Sequence, residues 1–429
     1  MLILLGYLMV VTFMVLIMTR RLSALVALIL VPLVFGLLAG HRTDLGPMAI
    51  EGISKLAPTA ALLLFAVLCF SIMIDTGLFD PLVRGVLRVV GNDPRRIAIG
   101  TAVVALIVSL DGDGATTALV TITAFLPVYR RLGMNPLILA VLLGSANSIV
   151  NLAPWGGPTG RVAAALHIDP ADVFVPLLPA MAAGAVATLV VAWFLGNRER
   201  NRLGVSAATQ PLEPVTLAFE RDVGVARPHL IVFNLALTIA VLALAVLRLF
   251  PMPLLFMAGL SLALLVNYPA VSAQRARLTA HAANALPIVL LILAAGIFTG
   301  VMTGTGMVDA MAKGAMTAVP DRFGPWLGPI TALLSAPMTF ALSNDAYYFG
   351  AVPVIAQTAA QYGIAPIEIA RASLLGQPIH ALSPLVAAIY LVAGLLDCEV
   401  GAMQRFALKW AALLTVVLIV AAIVTRAII

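Results

Sequence analysis

Gly133-Met134-Asn135-Pro136, followed by Asn147 and Leu152-Ala153-Pro154, recurs as Gly363-Ile364-Ala365-Pro366, followed by Gln377 and Leu382-Ser383-Pro384. The shift is 230 residues throughout, from 136 to 366 and from 154 to 384. Upstream, Thr76-Gly77-Leu78-Phe79-Asp80 returns as Thr305-Gly306-Met307-Val308-Asp309, a shift of 229 from 76 to 305. Both copies break apolar sequence with Gly, Pro, Asn and Asp. A duplicated set of interrupted apolar segments is the mark of a secondary transporter.

The composition agrees. Of 429 residues, 62% are hydrophobic and 10% charged, and the mean hydropathy is +1.09; a soluble domain carries about 25% charge. The runs 2–18, 22–40, 57–74, 174–195, 230–249 and 406–428 each approach the ~20 residues that span a bilayer. No basic stretch precedes the first run and no small-residue cleavage site follows it, so it is expected to be a retained span. Cys69 and Cys398 lie in or beside spans without a CxxC partner and say nothing about redox compartment. The net charge of +6 reflects basic loops in such a chain, and nucleic-acid binding is excluded as a reading.

Placing Arg20-Arg21 in the cytoplasm puts the N-terminus outside. Alternation then brings most of the 25 basic residues inside, among them Arg84, Arg88, Arg95, Arg96, Arg130, Arg131, Arg198, Arg200, Arg202, Arg275 and Arg277. That arrangement requires two segments that enter and leave on one side: 97–129, split by Asp111-Gly112-Asp113-Gly114, and 326–357, split by Ser343-Asn344-Asp345. Irregular backbone at membrane depth is tolerated only inside protein or against a polar cavity. The expected fold is an all-α polytopic membrane protein with about ten crossings. Each half holds five spans plus one re-entrant hairpin, with broken spans at the midplane. Residues 1–196 form the first repeat, 197–228 a cytoplasmic linker and 229–429 the second, inverted by its odd number of crossings. The stretches 80–90 and 309–318 read as interfacial helices, with Asp80 and Asp309 as helix caps.

Four breaks should meet near the midplane: the two hairpin tips and the broken spans 147–160 and 376–384. Helix N-termini exposed there carry about half a positive charge and free N–H groups, which suit an anion. Asp111, Asp113 and Asp345 are candidates for metal or proton handling, because a carboxylate at membrane depth costs about 3 kcal/mol or more; capping of the following helix is the other reading of the first two. The Asp-Gly-Asp-Gly string is not a calcium loop, since Ile122 stands where that loop needs Glu. Ser109, Thr116, Asn147, Asn151, Thr159, Ser343, Asn344, Gln377 and Ser383 are candidate substrate ligands, with hydrogen bonding between helices as the alternative. His380 could shuttle a proton or sit as a satisfied core histidine. Arg161 and Arg371 could meet substrate carboxylates or snorkel to the interface. Trp155, Tyr347 and Tyr348 flank the breaks as gates or as packing.

The strings themselves resemble the CitMHS family of citrate–divalent metal:proton symporters. The resemblance rests on 109–117, Arg131-Leu132-Gly133-Met134-Asn135-Pro136, Pro154 to Thr159, Leu342 to Ala346, and Leu374-Leu375-Gly376-Gln377-Pro378 with Leu382-Ser383-Pro384-Leu385, and it extends over nearly the whole chain. It implies import of citrate complexed with a divalent cation of the Mg²⁺ or Ca²⁺ type, coupled to protons, with no tightly bound cofactor. It also implies elevator-type alternating access in a bacterial inner membrane and a homodimer. Related dicarboxylate carriers have Ser-Asn-Thr hairpin tips; here Asp345 follows Ser343-Asn344, and the first tip departs further. A sodium-coupled carrier of free di- or tricarboxylates, or a sodium/proton antiporter on the same scaffold, is the nearest alternative. A membrane hydrolase lacks its motif, since neither HExxH nor GxSxG occurs. A channel is separated from a carrier by the absence of saturation.

Overall fold

The structure is a computed structural model that describes residues 1–112, 114–204, 224–316 and 320–428. Most of the expected linker and Asp113 lie outside the described residues. Every described element is helical. In chain order these are α1 (Leu2–Met18), α2 (Ala24–Leu38), α3 (Leu45–Asp75), α4 (Asp80–Val90), α5 (Pro94–Val108), α6 (Gly114–Leu132), α7 (Leu137–Val150), α8 (Gly157–Leu166), α9 (Pro170–Phe174) and α10 (Leu178–Leu203). There follow α11 (Ile231–Val246), α12 (Met252–Asn267), α13 (Val271–Gly304), α14 (Met307–Met316), α15 (Leu327–Ala341), α16 (Val352–Ala360), α17 (Pro366–Leu374), α18 (Gln377–His380), α19 (Ala387–Leu396) and α20 (Val400–Val424).

Local chemistry sets the boundaries. Ser23, Asp93 and Asp169 cap α2, α5 and α9 by accepting the N–H groups of Val26, Arg95 and Ala171. Pro94 and Pro170 fill the first helical position, where no N–H is needed. Gly133 and Gly363, at φ 69° and 83°, supply the left-handed turns after α6 and α16. Left-handed positions recur at the repeat shift: Gly77 with Gly306, Gly133 with Gly363, and His167 with Asp397. The in-helix prolines of α3 and α13, Pro58 and Pro287, are likewise 229 apart.

Five helical stretches are long and apolar enough to cross a membrane: Leu45–Asp75, Pro170–Leu203, Pro228–Val246, Val271–Gly304 and Val400–Val424. Five shorter apolar helices are α1, α2, α7, α12 and α19. Their outward faces are apolar, as lipid requires; Val232, Leu235 and Ile239 on α11 and Val416, Val420 and Val424 on α20 are all exposed. The protein is a multi-pass membrane protein. Its helices exceed the apolar runs in two places: α3 begins at Leu45, before the expected 57, and α10 continues to Leu203, past the expected boundary at 196.

The helices form two bodies. In one, α1–α3 pack with α11–α13, and α3 runs alongside α13. Their crossing is built on glycine: a Cβ on Gly52 would lie 1.9 Å from Gly296 O, and one on Gly300 would lie 2.3 Å from Met48 O. Small residues that bring backbones together are the usual means of association in lipid, where no hydrophobic drive exists. In the other body, α5, α6, α7 and α10 pack with α15 and α17–α20. Helix α4 rests on α5, while α14 touches both α1 and α16. Asp309 is in the first turn of α14, where the helix dipole favours it. It accepts from Gln357 Nε2 at 2.8 Å, so it joins α14 to α16 instead of capping.

Candidate functional site

Three breaks in the second body expose helix beginnings. Gly112, at φ 75°, turns the chain between the short 3₁₀ segment Ser109–Asp111 and α6. Leu152 to Gly156 separate α7 from α8, and Gly156 must be glycine because a Cβ there would meet Asn151 O at 2.0 Å. Ala381 to Val386 separate α18 from α19. The fourth break, 342–345, ends α15 and passes into a π-helical turn, Ala346–Ala351, a distortion frequent at functional sites.

All four contribute to one cavity of about 310 Å³, at the low end of small-molecule sites. Gly112 and Gly114 come from the break before α6, Asn147, Asn151, Gly157, Pro158 and Arg161 from that between α7 and α8, Asn344 from 342–345, and Gln377, His380, Val386 and Ala388 from that between α18 and α19. The first turns of α6, α8 and α19 therefore face the same space. Among the described lining residues none is acidic, and Arg161 is the cation. The apolar side is made by Leu143, Ile389, Val392, Met403 and Ile288. Ile288, on α13, is the contribution of the first body.

The polar residues are positioned by one another. Asn151 donates through Nδ2 to Asn147 Oδ1 at 3.1 Å, and its own Oδ1 is buried without a hydrogen-bond partner among the described residues. Gln377 Nε2 donates to the Tyr348 hydroxyl at 2.7 Å and to Asn344 Oδ1 at 3.4 Å, which ties the start of α18 to the break at 342–345. His380 donates from Nδ1 to Thr339 O at 2.7 Å. A carbonyl only accepts, so Nδ1 carries the proton and Nε2 is the nitrogen left to take another. Arg161 reaches across 184 residues to Asp345 Oδ1 at 2.6 Å and also donates to Gly157 O at 3.0 Å.

The cavity thus brings together five of the expected ligands, Asn147, Asn151, Asn344, Gln377 and His380, with Arg161, which the sequence left between a carboxylate partner and a snorkelling side chain. The remainder serve elsewhere. Thr159 donates to Leu152 O at 2.9 Å and Ser383 to Phe340 O at 2.7 Å, so both hydroxyls hold backbone across a break and are not among the lining groups. Ser343 accepts from Ala346 N at 3.2 Å, capping the turn after its own break. Ser109 and Asp111 are buried, and Thr117 Oγ1 donates to Asp111 Oδ1 at 3.4 Å. Neither they nor Thr116 line the cavity. Asp345 is paired with a guanidinium, which makes it a poor cation ligand. The described residues hold no group of three His, Cys, Asp or Glu that could bind a metal ion. Arg371 binds Ala427 O and Asp172 O, away from the cavity. Trp155 donates to Leu110 O at 2.8 Å and packs among Phe70, Phe174 and Phe256, so it braces the first break. Tyr347 and Tyr348 are buried edge to face at 5.0 Å.

Comparison with known proteins follows the same direction. The family model CitMHS, described as citrate transporter, matches residues 11–376. A Bacillus subtilis (strain 168) protein named citrate transporter is 51% identical across 99% of this chain and 98% of its own length. A second from that strain, named Mg(2+)/citrate complex secondary transporter, is 46% identical across 100% of this chain and 99% of its own. Among solved structures, the Alcanivorax borkumensis YdaH transporter is similar with a TM-score of 0.59 at 17% identity, covering 89% of this chain and 88% of that one. Neisseria gonorrhoeae MtrF gives a TM-score of 0.60 at 14% identity over 89% of this chain and 84% of that one. At those identities the likeness concerns the fold alone.

Proposed function

The chain belongs to the CitMHS family of citrate transporters, and from that premise we propose that it imports citrate chelated to a divalent cation of the Mg²⁺ or Ca²⁺ type, in symport with protons. It is a transporter and not an enzyme. The observation that carries the substrate reading is the convergence of the first turns of α6, α8 and α19, with Arg161, on one cavity whose described lining has no acid. Each helix start presents about half a positive charge. Citrate carries about three negative charges at neutral pH, and one divalent cation leaves the complex near minus one. Such a complex matches the positive field of the helix starts without a resident metal site, because the cation arrives with its own carboxylate ligands. It is also less costly to desolvate than the free trianion.

Asn147, Asn151, Asn344 and Gln377 supply amides for the remaining oxygens, each able to donate or accept. His380 is the proton-handling residue we favour, since one ring nitrogen is fixed by Thr339 O and the imidazole lines the cavity. Most of the cavity lining comes from the body of α5–α7, α10, α15 and α17–α20 together with α8, which packs on α17 and also on α3 and α13, and Ile288 is the described lining residue from the other body. That division supports an elevator movement, in which one body carries the site past a scaffold of α1–α3 and α11–α13. We read the halves 1–196 and 229–429 as an inverted repeat, with α5–α6 and α15–α16 as its re-entrant hairpins, in a bacterial inner membrane and as a homodimer.

Citrate uptake into proteoliposomes, with choline in place of sodium, tests the coupling ion. Undiminished uptake under an inward proton gradient is expected. Uptake that requires sodium would instead make the protein a sodium-coupled carboxylate carrier.

A further inference from the structure

Arg161 already holds a carboxylate. Its Nε lies 2.6 Å from Asp345 Oδ1, its Nη1 donates to Gly157 O, and its Nη2 has no hydrogen-bond partner among the described residues. Both side chains of the pair are 20% exposed, and Arg161 lines the cavity. Arg161 stands in the first turns of α8, beside the amides of Asn147 and Asn151, and Asp345 directly follows Asn344 of the lining. A guanidinium that faces a cavity at such a place has the geometry of a carboxylate receptor, with forked donors and an adjacent helix start.

We propose that Asp345 is a resident surrogate for a substrate carboxylate: metal-citrate enters by taking Arg161 Nε from Asp345, and this exchange sets both affinity and selectivity. The proposal rests on the transport reading above. Because Nε cannot serve two carboxylates at once, the apparent affinity is the intrinsic one reduced by the fraction of carriers in which Arg161 is free. A monocarboxylate that replaces Asp345 exchanges one ion pair for another and gains nothing net. Citrate gains, because its other oxygens reach the amides and the helix starts while the one carboxylate holds Arg161. The ion pair therefore selects for anions that bring more than one group.

The sign of this effect separates it from a ligand role for Asp345. A metal or substrate ligand weakens binding when removed; a competitor strengthens it. The test is calorimetric titration of Mg²⁺-citrate into the purified full-length protein, for the wild type, D345N, D345S, R161Q and the double variant R161Q/D345N. Asp345→Asn and Asp345→Ser are expected to tighten binding by about tenfold or more, and Arg161→Gln to weaken it by about tenfold or more. The double variant is expected to bind no more tightly than R161Q, because without Arg161 there is nothing to compete for. Acetate is expected to compete with citrate in D345N and not in the wild type. Unchanged or weaker binding by both Asp345 variants, with the wild type binding, overturns the proposal. So does a double variant clearly tighter than R161Q, which would assign the effect to overall charge. A wild type that does not bind Mg²⁺-citrate overturns the transport reading itself.

Discussion

The crossing of α3 and α13 predicts what a single methyl group does to the scaffold. A Cβ on Gly52 would lie 1.9 Å from Gly296 O and 2.8 Å from Gly300 Cα, whereas ordinary contact begins at 3.4 Å. The obstacles are backbone atoms of a packed helix, so no rotamer change can relieve them. Restoring contact requires the helices to part locally by about 1.5 Å, the difference between 3.4 and 1.9 Å. A gap of 0.5–1 Å already forfeits a quarter to a half of each dispersion contact. Overpacking costs about 1–3 kcal/mol, and a main-chain clash belongs at the upper end, so Gly52→Ala is expected to destabilise by about 3 kcal/mol. Gly46 is the internal control: it sits on the same helix, and a Cβ there meets nothing within 4 Å. Gly46→Ala should be neutral or should gain up to about 1 kcal/mol of helix propensity. Thermal unfolding of the two purified variants in one detergent, followed by intrinsic fluorescence, decides the matter. A Gly52→Ala protein that melts with the wild type, or a Gly46→Ala protein that falls as far, refutes the glycine crossing.

Other expectations concern the cavity and its supports. In Gly114→Ala the new Cβ would lie 2.5 Å from Asn147 Nδ2, so Asn147 must swing away from Asn151; uptake kinetics should show KM for citrate raised about tenfold, while the melting temperature changes little. Thr159→Val and Ser383→Ala should each lose about 1 kcal/mol of stability through one hydrogen bond while keeping substrate selectivity, read as paired melting and competition curves. Asn234 and Asn267 exchange amide bonds of 2.9 and 2.8 Å while buried between α11 and α12. Asn234→Leu leaves an unsatisfied amide and should cost about 1–3 kcal/mol, whereas the double replacement N234L/N267L should recover part of that loss in the same melting assay.

The breaks were legible in the sequence because lipid penalises polar and irregular backbone, so Gly, Pro, Asn and Asp strings inside apolar runs stand out. Asn147, Asn151, Asn344, Gln377 and His380 were found that way, and they line the cavity. Hydroxyls were less informative. Thr159 and Ser383 are short enough to bond nearby carbonyls, and nothing in their spacing tells such a role from a ligand role. The partner of Arg161 was hidden because Asp345 is 184 residues away, so each side chain was weighed without the other. The apolar wall was hidden for the opposite reason: Ile288, Val392 and Met403 look like every other lipid-phase residue until the fold places them. Helix ends were misjudged where hydropathy stops but helix does not. Glu51 and Lys55 pair at 2.7 Å, one turn apart, and extend α3 beyond its apolar run. Glu199 holds both Arg202 and Asn135 N, which carries α10 to Leu203.

The most direct test of the central claim is the initial rate of radiolabelled citrate uptake into proteoliposomes under one imposed inward proton gradient, measured with Mg²⁺ and again with EDTA. Uptake that is rapid with Mg²⁺ and abolished by EDTA is the predicted result, because the cavity's described lining offers an anion site and no metal cluster of its own. Uptake that persists in EDTA would contradict the account and make the free carboxylate the substrate.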